Sequence, residues 1–197
     1  MPNYRRAFAP GGCWFFTVNL LERHRKLLVE HIDVLRDAFT ITNQDYPFET
    51  AAITVLPDHL HAVWRLPPDD SDFSTRWRLI KTRFAKSLPT QEARSAVRRA
   101  RGERGIWQRR FWEHLIRNDD DYARHVEYCY INPIKHGLVR RVQDWPAFLI
   151  SSRRQARPLS ARLGGRGRAA RRFRRTDLKA KRRNPLRIRR RADYAFG

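Results

Sequence analysis

The stretch Phe48-Glu49-Thr50-Ala51-Ala52-Ile53-Thr54-Val55-Leu56-Pro57-Asp58-His59-Leu60-His61-Ala62-Val63-Trp64-Arg65-Leu66 outlines a β-hairpin. Residues 48–55 are largely apolar, with the β-branched members that strands favour, and residues 59–66 regain that character after a tight turn. Pro57 presets the backbone of the turn and Asp58 tolerates it, so the two runs return on each other antiparallel. On the second strand His59 and His61 stand two residues apart and therefore point to one face, while Leu60 points to the other.

Outward from the hairpin, Cys13-Trp14-Phe15-Phe16-Thr17-Val18-Asn19 follows Gly11-Gly12 and reads as a buried strand. Between them Leu28, Ile32, Leu35, Ala38 and Phe39 recur at helical spacing, which predicts one helix over 27–43. After a Pro/Asp-rich loop, Trp77, Ile80 and Phe84 define a helix over 73–87. Residues 89–105 are polar and Arg-rich and read as a loop with some helix. Residues 106–116 predict a fourth strand. Asn118 or Asp119 caps a final helix that Pro133 is expected to end. Strand, helix, hairpin, helix, strand and helix in this order predict an α+β domain: a ferredoxin-like antiparallel sheet covered by helices.

The formal charge is +22, unevenly spread. Residues 148–197 hold 18 of the 42 Lys and Arg but 2 of the 20 Asp and Glu, a local +16, leaving +6 for residues 1–147. A moderately basic domain with a strongly basic tail points to a polyanionic partner. Charge alone does not separate DNA from RNA or from an acidic membrane surface. Two cysteines make neither a disulfide framework nor a zinc ribbon. No apolar run reaches the roughly 18 residues of a membrane span, and the N-terminal residues lack a secretory pattern. The expectation is a cytoplasmic, nucleoid-associated protein with no membrane partner.

His59 and His61 on one strand face suit two neighbouring metal ligands, although His-x-His is also what two unrelated surface histidines look like. Tyr128 and Asn132 stand four apart on the last helix and share a face, so a phenol and an amide lie together there. Core tyrosines with rim hydroxyls would give the same pattern. Tyr130 is the rival phenol, about 200° around the helix from Tyr128.

Taken in order, Gly11-Gly12-x-Trp14-Phe15-Phe16-Thr17-Val18-Asn19, Leu56-Pro57-Asp58-His59-Leu60-His61, Phe73-Ser74-x-Arg76-Trp77-x-x-Ile80-Lys81, Ile106-Trp107-Gln108-x-Arg110-Phe111-Trp112-Glu113-His114 and Tyr128-x-Tyr130-Ile131-Asn132-Pro133-x-Lys135-His136-Gly137 resemble the REP-associated tyrosine transposases. These belong to the HUH single-strand transposase superfamily. The resemblance covers roughly residues 4–147. It implies a divalent ion, Mg²⁺ or Mn²⁺, on His59, His61 and Asn132, with Tyr128 as the nucleophile that cuts and rejoins DNA through a 5′-phosphotyrosine. It further implies hairpin DNA with a short single-stranded foot as the substrate, and a monomer. Arg5, Arg6, Arg76, Lys81, Arg109 and Arg110 are the expected DNA contacts, because basic groups interleaved with aromatics suit phosphates and unpaired bases. Arg78 lies on the same helix as Arg76. Glu113 and His114 are candidates to support the site, and His125 and His136 to be structural or to contact phosphate. The alternative is a non-cutting hairpin-binding module of the same fold; an RNA-binding regulator is a third reading.

Beyond Pro146 the chain departs from that family. Relatives continue with Ser-Ser-Phe-His-Arg and later Gly-Leu-Tyr-Pro-x-Asp-Trp-Gly, where this chain has Ala147-Phe148-Leu149-Ile150-Ser151-Ser152-Arg153 and Arg157-Pro158-Leu159-Ser160-Ala161-Arg162-Leu163-Gly164-Gly165. Codons for these residues exist that, read one base later, encode the family segments. The expectation is a domain over 1–147 and a frameshifted, disordered Arg-rich tail over 148–197 that adds non-specific charge.

Overall fold

Alternation along the central strands sets the two sides of the molecule. Strand β1 (Cys13–Asn19) sends Trp14, Phe16 and Val18 to one face and Cys13, Phe15 and Thr17 to the other. Strands β2 (Glu49–Val55) and β3 (His59–Arg65) form the expected hairpin, and β4 (Trp112–Leu115) completes a four-stranded antiparallel sheet among the described residues. The computed structural model describes residues 8–90, 92 and 94–147. Sheet order is β2-β3-β1-β4, so β1 and β3 are central, and the expected α+β class holds.

One face carries Trp14, Phe16, Leu60, Ala62 and Trp64 into the main core. Helices α1 (Leu27–Glu30), α2 (Ile32–Asp45) and α3 (Phe73–Ser87) supply the residues that cover it. The Trp64 and Trp77 rings stack there at 4.1 Å and 12°. Helix α3 starts where Asp72 accepts a hydrogen bond from the Thr75 amide, an N-cap that satisfies one otherwise orphan donor. The helix expected over 27–43 is broken at His31. Leu27 and Leu28 are both buried, and the Leu28 amide donates to the Pro57 carbonyl, which turns the first helical turn out of line with α2. A short helix, α4 (Ala96–Ala100), lies in the Arg-rich segment.

Helix α5 (Asp119–Lys135) covers the opposite face. Asn118 caps it by accepting from the Asp121 amide, and three aspartates in its first turn suit the positive end of the helix dipole. Pro133 does not end the helix as expected. It sits in the last turn, where the hydrogen bond it cannot donate leaves the rest of α5 intact. Termination comes at Gly137, whose φ of 67° a side chain would strain.

The fourth strand is shorter than the expected 106–116. Trp107 makes only an isolated bridge to Leu20, and the Gln108 amide donates to the Asn19 carbonyl; this pairing is two residues out of register with the β1–β4 ladder, so the strand is interrupted before Trp112. Both cysteines are buried and free; burial pushes the Cys13 thiol up to about 12 and raises Cys129 as well.

Arg76, expected on DNA, belongs to the core instead. It is 1% exposed and donates to the carbonyls of Tyr46, Pro47 and Asp72 and to the Asp70 carboxylate at 2.6–3.2 Å. It therefore ties the end of α2 to the start of α3. Arg76→Ala removes these donors and is expected to cost about 3 kcal/mol in urea unfolding, the range for breaking a buried pair. Exposed Arg78→Ala should stay within about 0.5 kcal/mol. Equal effects would reject this role for Arg76.

Candidate active site

His59 and His61 project from β3 onto the α5 side, as the strand period requires, with ring centroids 4.9 Å apart. Leu60 between them is fully buried in the opposite core. Each imidazole is held at Nδ1. His59 donates to Asp58 Oδ1 at 2.7 Å, and Arg23 holds the other oxygen of that carboxylate at 2.7 Å. Burial opposes the charge on Asp58, but the bonds from His59 and Arg23 outweigh it and keep the carboxyl below its usual range. His61 Nδ1 lies 2.9 Å from Thr17 Oγ1, directly across the β1–β3 ladder. With Nδ1–H donating to that hydroxyl, the Nε2 lone pair is left available.

Burial lowers the pKa of both rings, His61 to about 3, so at neutral pH they are uncharged, the form that binds metal. A carboxylate or hydroxyl behind each ring is the usual outer support of metal-ligating histidines.

Helix α5 brings Tyr128, Asn132 and His136 down one face, four residues apart. The Tyr128 ring lies 5.0 Å from that of His61, and the His136 ring 5.2 Å from that of His59. Lys135 Nζ stands 4.8 Å over the Tyr128 ring. Asn132 is fully buried, yet neither its Oδ1 nor its Nδ2 has a hydrogen-bond partner; His61 Nε2 and Thr54 Oγ1 are in the same condition. Thr54 is paired with His61 in the β2–β3 ladder, so two of these unpartnered groups sit side by side on the sheet face that α5 covers. Buried polar groups without partners are rare, and an ion is one accepted explanation. Two imidazole nitrogens and an amide oxygen fit a divalent cation and leave positions open to a further ligand.

The structure thus brings His59, His61, Tyr128 and Asn132 together. Tyr130 lies two residues beyond Tyr128 on α5, about 200° around the helix axis. Glu113 pairs with Phe16 and faces the main core; His114 is on the α5 side but bonds Asp121. Lys81, expected on DNA, donates to the carbonyls of Gln108 and Arg109, and burial lowers its pKa to about 8. It tethers the segment before β4. Arg109 and Arg110 are exposed on that segment. Arg5 and Arg6 and the 148–197 tail lie outside the described residues. Thr17, Thr54 and Lys135 are additions that sequence reasoning did not select. The first two depend on ladder register, for which the sequence carries no direct signal, while Lys135 was legible as a cation at i+7 from Tyr128.

No protein-family model matches the chain. The REP-associated tyrosine transposase of Escherichia coli K12 is 49% identical over 146 residues, 74% of this chain and 81% of that protein. A Haemophilus influenzae protein assigned to the same family is 49% identical over 148 residues, 74% of this chain and 84% of its own length. A solved REP-associated tyrosine transposase bound to a REP hairpin has 49% identity and a TM-score of 0.64, covering 75% of this chain and 82% of that one. Among the described residues no helix is long and apolar enough to cross a membrane.

Two outcomes test the geometry. Asn132→Leu, which replaces an unpartnered amide by an apolar group of similar shape, should stabilise metal-free protein by about 1–2 kcal/mol in urea unfolding; a comparable loss would show that the amide has a partner. His61 titrates near 6.5 when unfolded and near 3 when folded, so the unfolded chain takes the proton first. Metal-free stability should be full above about pH 6.5 and fall as pH drops toward 3, with a flatter decline in His61→Gln. Equal pH profiles for the two proteins would contradict the burial of a neutral His61.

Proposed function

The chain belongs to the REP-associated tyrosine transposases, and from that premise we propose that it cleaves and rejoins single-stranded REP-type hairpin DNA through Tyr128. The observation that carries this reading is the buried, unpartnered set of His61 Nε2 and the Asn132 amide beside the Tyr128 ring. His59, His61 and Asn132 would hold the divalent ion, Mg²⁺ or Mn²⁺. Bound there, it would supply Lewis-acid polarisation of the scissile phosphate and offset its developing charge.

The chain's own groups account for the rest. Asp58 and Thr17 fix the imidazole orientations, so the site needs little rearrangement when it binds substrate. A phenol is mostly protonated at neutral pH and is a weak nucleophile. Lys135, 4.8 Å from the Tyr128 ring, favours the charge that builds on the phenolic oxygen during attack. Tyr128 Oη then bonds to phosphorus as the bond to the 3′ oxygen breaks. The phenolic proton passes to solvent, and the departing 3′ oxygen takes one up. A 5′-phosphotyrosine and a 3′ hydroxyl result, and attack by a 3′ hydroxyl reverses the step without an energy source.

Arg109 and Arg110, exposed on the segment before β4, would contact phosphates, and Arg5 and Arg6, outside the described residues, would add to them. The Arg109 pair with Glu103, at 3.5 Å and with the arginine side chain 72% exposed, is easily given up. In this reading the cutting unit is residues 1–147, and the basic tail over 148–197 adds non-specific, salt-sensitive affinity.

Labelled REP-type hairpins with Mn²⁺ should give a covalent adduct on a denaturing gel. Tyr128→Phe and His61→Ala should abolish it, and Lys135→Met should slow it about ten- to a hundredfold. An adduct that survives Tyr128→Phe would move the nucleophile elsewhere. Tight hairpin binding without any adduct would make the chain a non-cutting module of the same fold.

A further inference from the structure

A second group of ligand-type side chains lies on the α5 side of the sheet, away from His59 and His61. Phe15 stands between the two, its ring 5.5 Å from that of His61 and 4.6 Å from that of His125. Beyond it, His114 of β4 and Asp121 and His125 of α5 converge. One donor atom from each lies within 4.8 Å of the others. His114 Nε2 is 2.8 Å from Asp121 Oδ2, and His125 Nδ1 is 3.2 Å from Asp121 Oδ1 and 2.8 Å from the Asp121 carbonyl. The two imidazoles stack at 4.7 Å and 22°.

From this convergence we infer that His114, Asp121 and His125 form a second divalent-metal site, one that clamps helix α5 to the edge strand β4. The inference does not depend on the cleavage reading. Ligand atoms bound about 2.1 Å from one ion at right angles stand about 3 Å apart; each imidazole already has a nitrogen that close to an Asp121 oxygen, His114 to Oδ2 and His125 to Oδ1, and the three-atom set lies within 4.8 Å. Two imidazoles and one carboxylate on one side of an ion, with the remaining positions open, form a donor set for first-row transition ions; Mg²⁺ prefers oxygen and water.

The surroundings favour a charged carboxylate. Asp121 is 6% exposed, and its Oδ2 accepts from His114 Nε2 and from the Arg117 amide. Arg124 reaches Oδ1 at only 3.3 Å, and its side chain is 70% exposed, so it can swing into solvent when an ion arrives. On binding, the His114 proton moves from Nε2 to Nδ1, and the His125 proton moves from Nδ1 to Nε2 as its bond to the Asp121 carbonyl is given up, which leaves the two nitrogens that face Asp121 as ligands. Asp121 and His125 lie seven and three residues before Tyr128, within about two helical turns. Among the described residues β4 pairs over four residues with β1 alone, so the sheet is short at this end. An ion joining β4 to α5 would fix the axial position and rotation of the helix that carries Tyr128.

The test uses tag-free full-length protein stripped of metal by chelation, with Co²⁺ as the probe and bound ions counted by equilibrium dialysis. Residues 148–197 contain no histidine or cysteine to add sites of this kind. Wild type should bind two ions per chain, His61→Ala one, His114→Gln with His125→Gln one, and the triple variant none. In wild type, the ring signals of His114 and His125 should broaden with one equivalent of Co²⁺, and those of His59 and His61 with the other. This readout holds even if a variant folds poorly. One ion in wild type that is lost in His61→Ala, or a second ion that survives the His114/His125 changes at undiminished affinity, overturns the clamp. Two ions in His61→Ala would instead count against the His59/His61 site and leave the clamp standing.

Discussion

The pairing of β1 with β3 is the constraint on which the rest depends. In that ladder Thr17 faces His61, Val18 faces Leu60 and Phe16 faces Ala62. Leu60, Ala62 and Trp64 cannot leave the main core without opening it, so His59 and His61 are forced to the other side. A slip of one residue would exchange these sets, burying imidazoles among tryptophans and exposing the core strand. The hydrophobic side of the sheet thus fixes the chemical side. The aromatic density beneath the sheet, with Trp14, Trp64, Trp77, Phe16, Phe73 and Phe84 all nearly inaccessible, is what makes the register unambiguous.

The two sides differ in the buried polar groups they hold. The main core pairs its buried cations, Arg76 with three carbonyls and a carboxylate and Lys81 with two carbonyls, but leaves the indole N–H groups of Trp14, Trp64, Trp77 and Trp107 without partners. The α5 side retains buried groups without partners, at His61, Thr54 and Asn132. Such groups cost stability, and a fold tolerates them where the surrounding packing supplies a surplus. What sets the α5 side apart is the kind of group left without a partner: an imidazole nitrogen and amide and hydroxyl oxygens that can bind an ion, where the main core, among the described residues, leaves only indole N–H donors.

Much of this was legible in the sequence for identifiable reasons. The hairpin, β1 and the span of α3 follow from strong periodicity, while the cap at Asp72 came only from the structure. His59 with His61, and Tyr128 with Asn132, follow from the two- and four-residue repeats of strand and helix. What failed were inferences that treated residue type as position. Arg76 and Lys81 look like DNA contacts because cations are usually solvated, yet tertiary carbonyls captured both. Pro133 reads as a stop, but a proline in a last turn disturbs little. The 106–116 segment mimics a strand until Trp107 and Gln108 are seen bonding outside the ladder. The partners of His61 were invisible because sequence does not state which residues face each other across a sheet.

The buried cysteines carry a practical consequence. The thiolate is the form that reacts with oxidants and alkylating agents, and burial suppresses it at both Cys13 and Cys129. Folded, the chain should behave toward maleimides and peroxide as though it had no cysteine. A single cysteine engineered at an exposed position such as Arg110 would then be its one reactive thiol. Dyes or spin labels could follow the segment before β4 without first stripping the native sulfurs from the core.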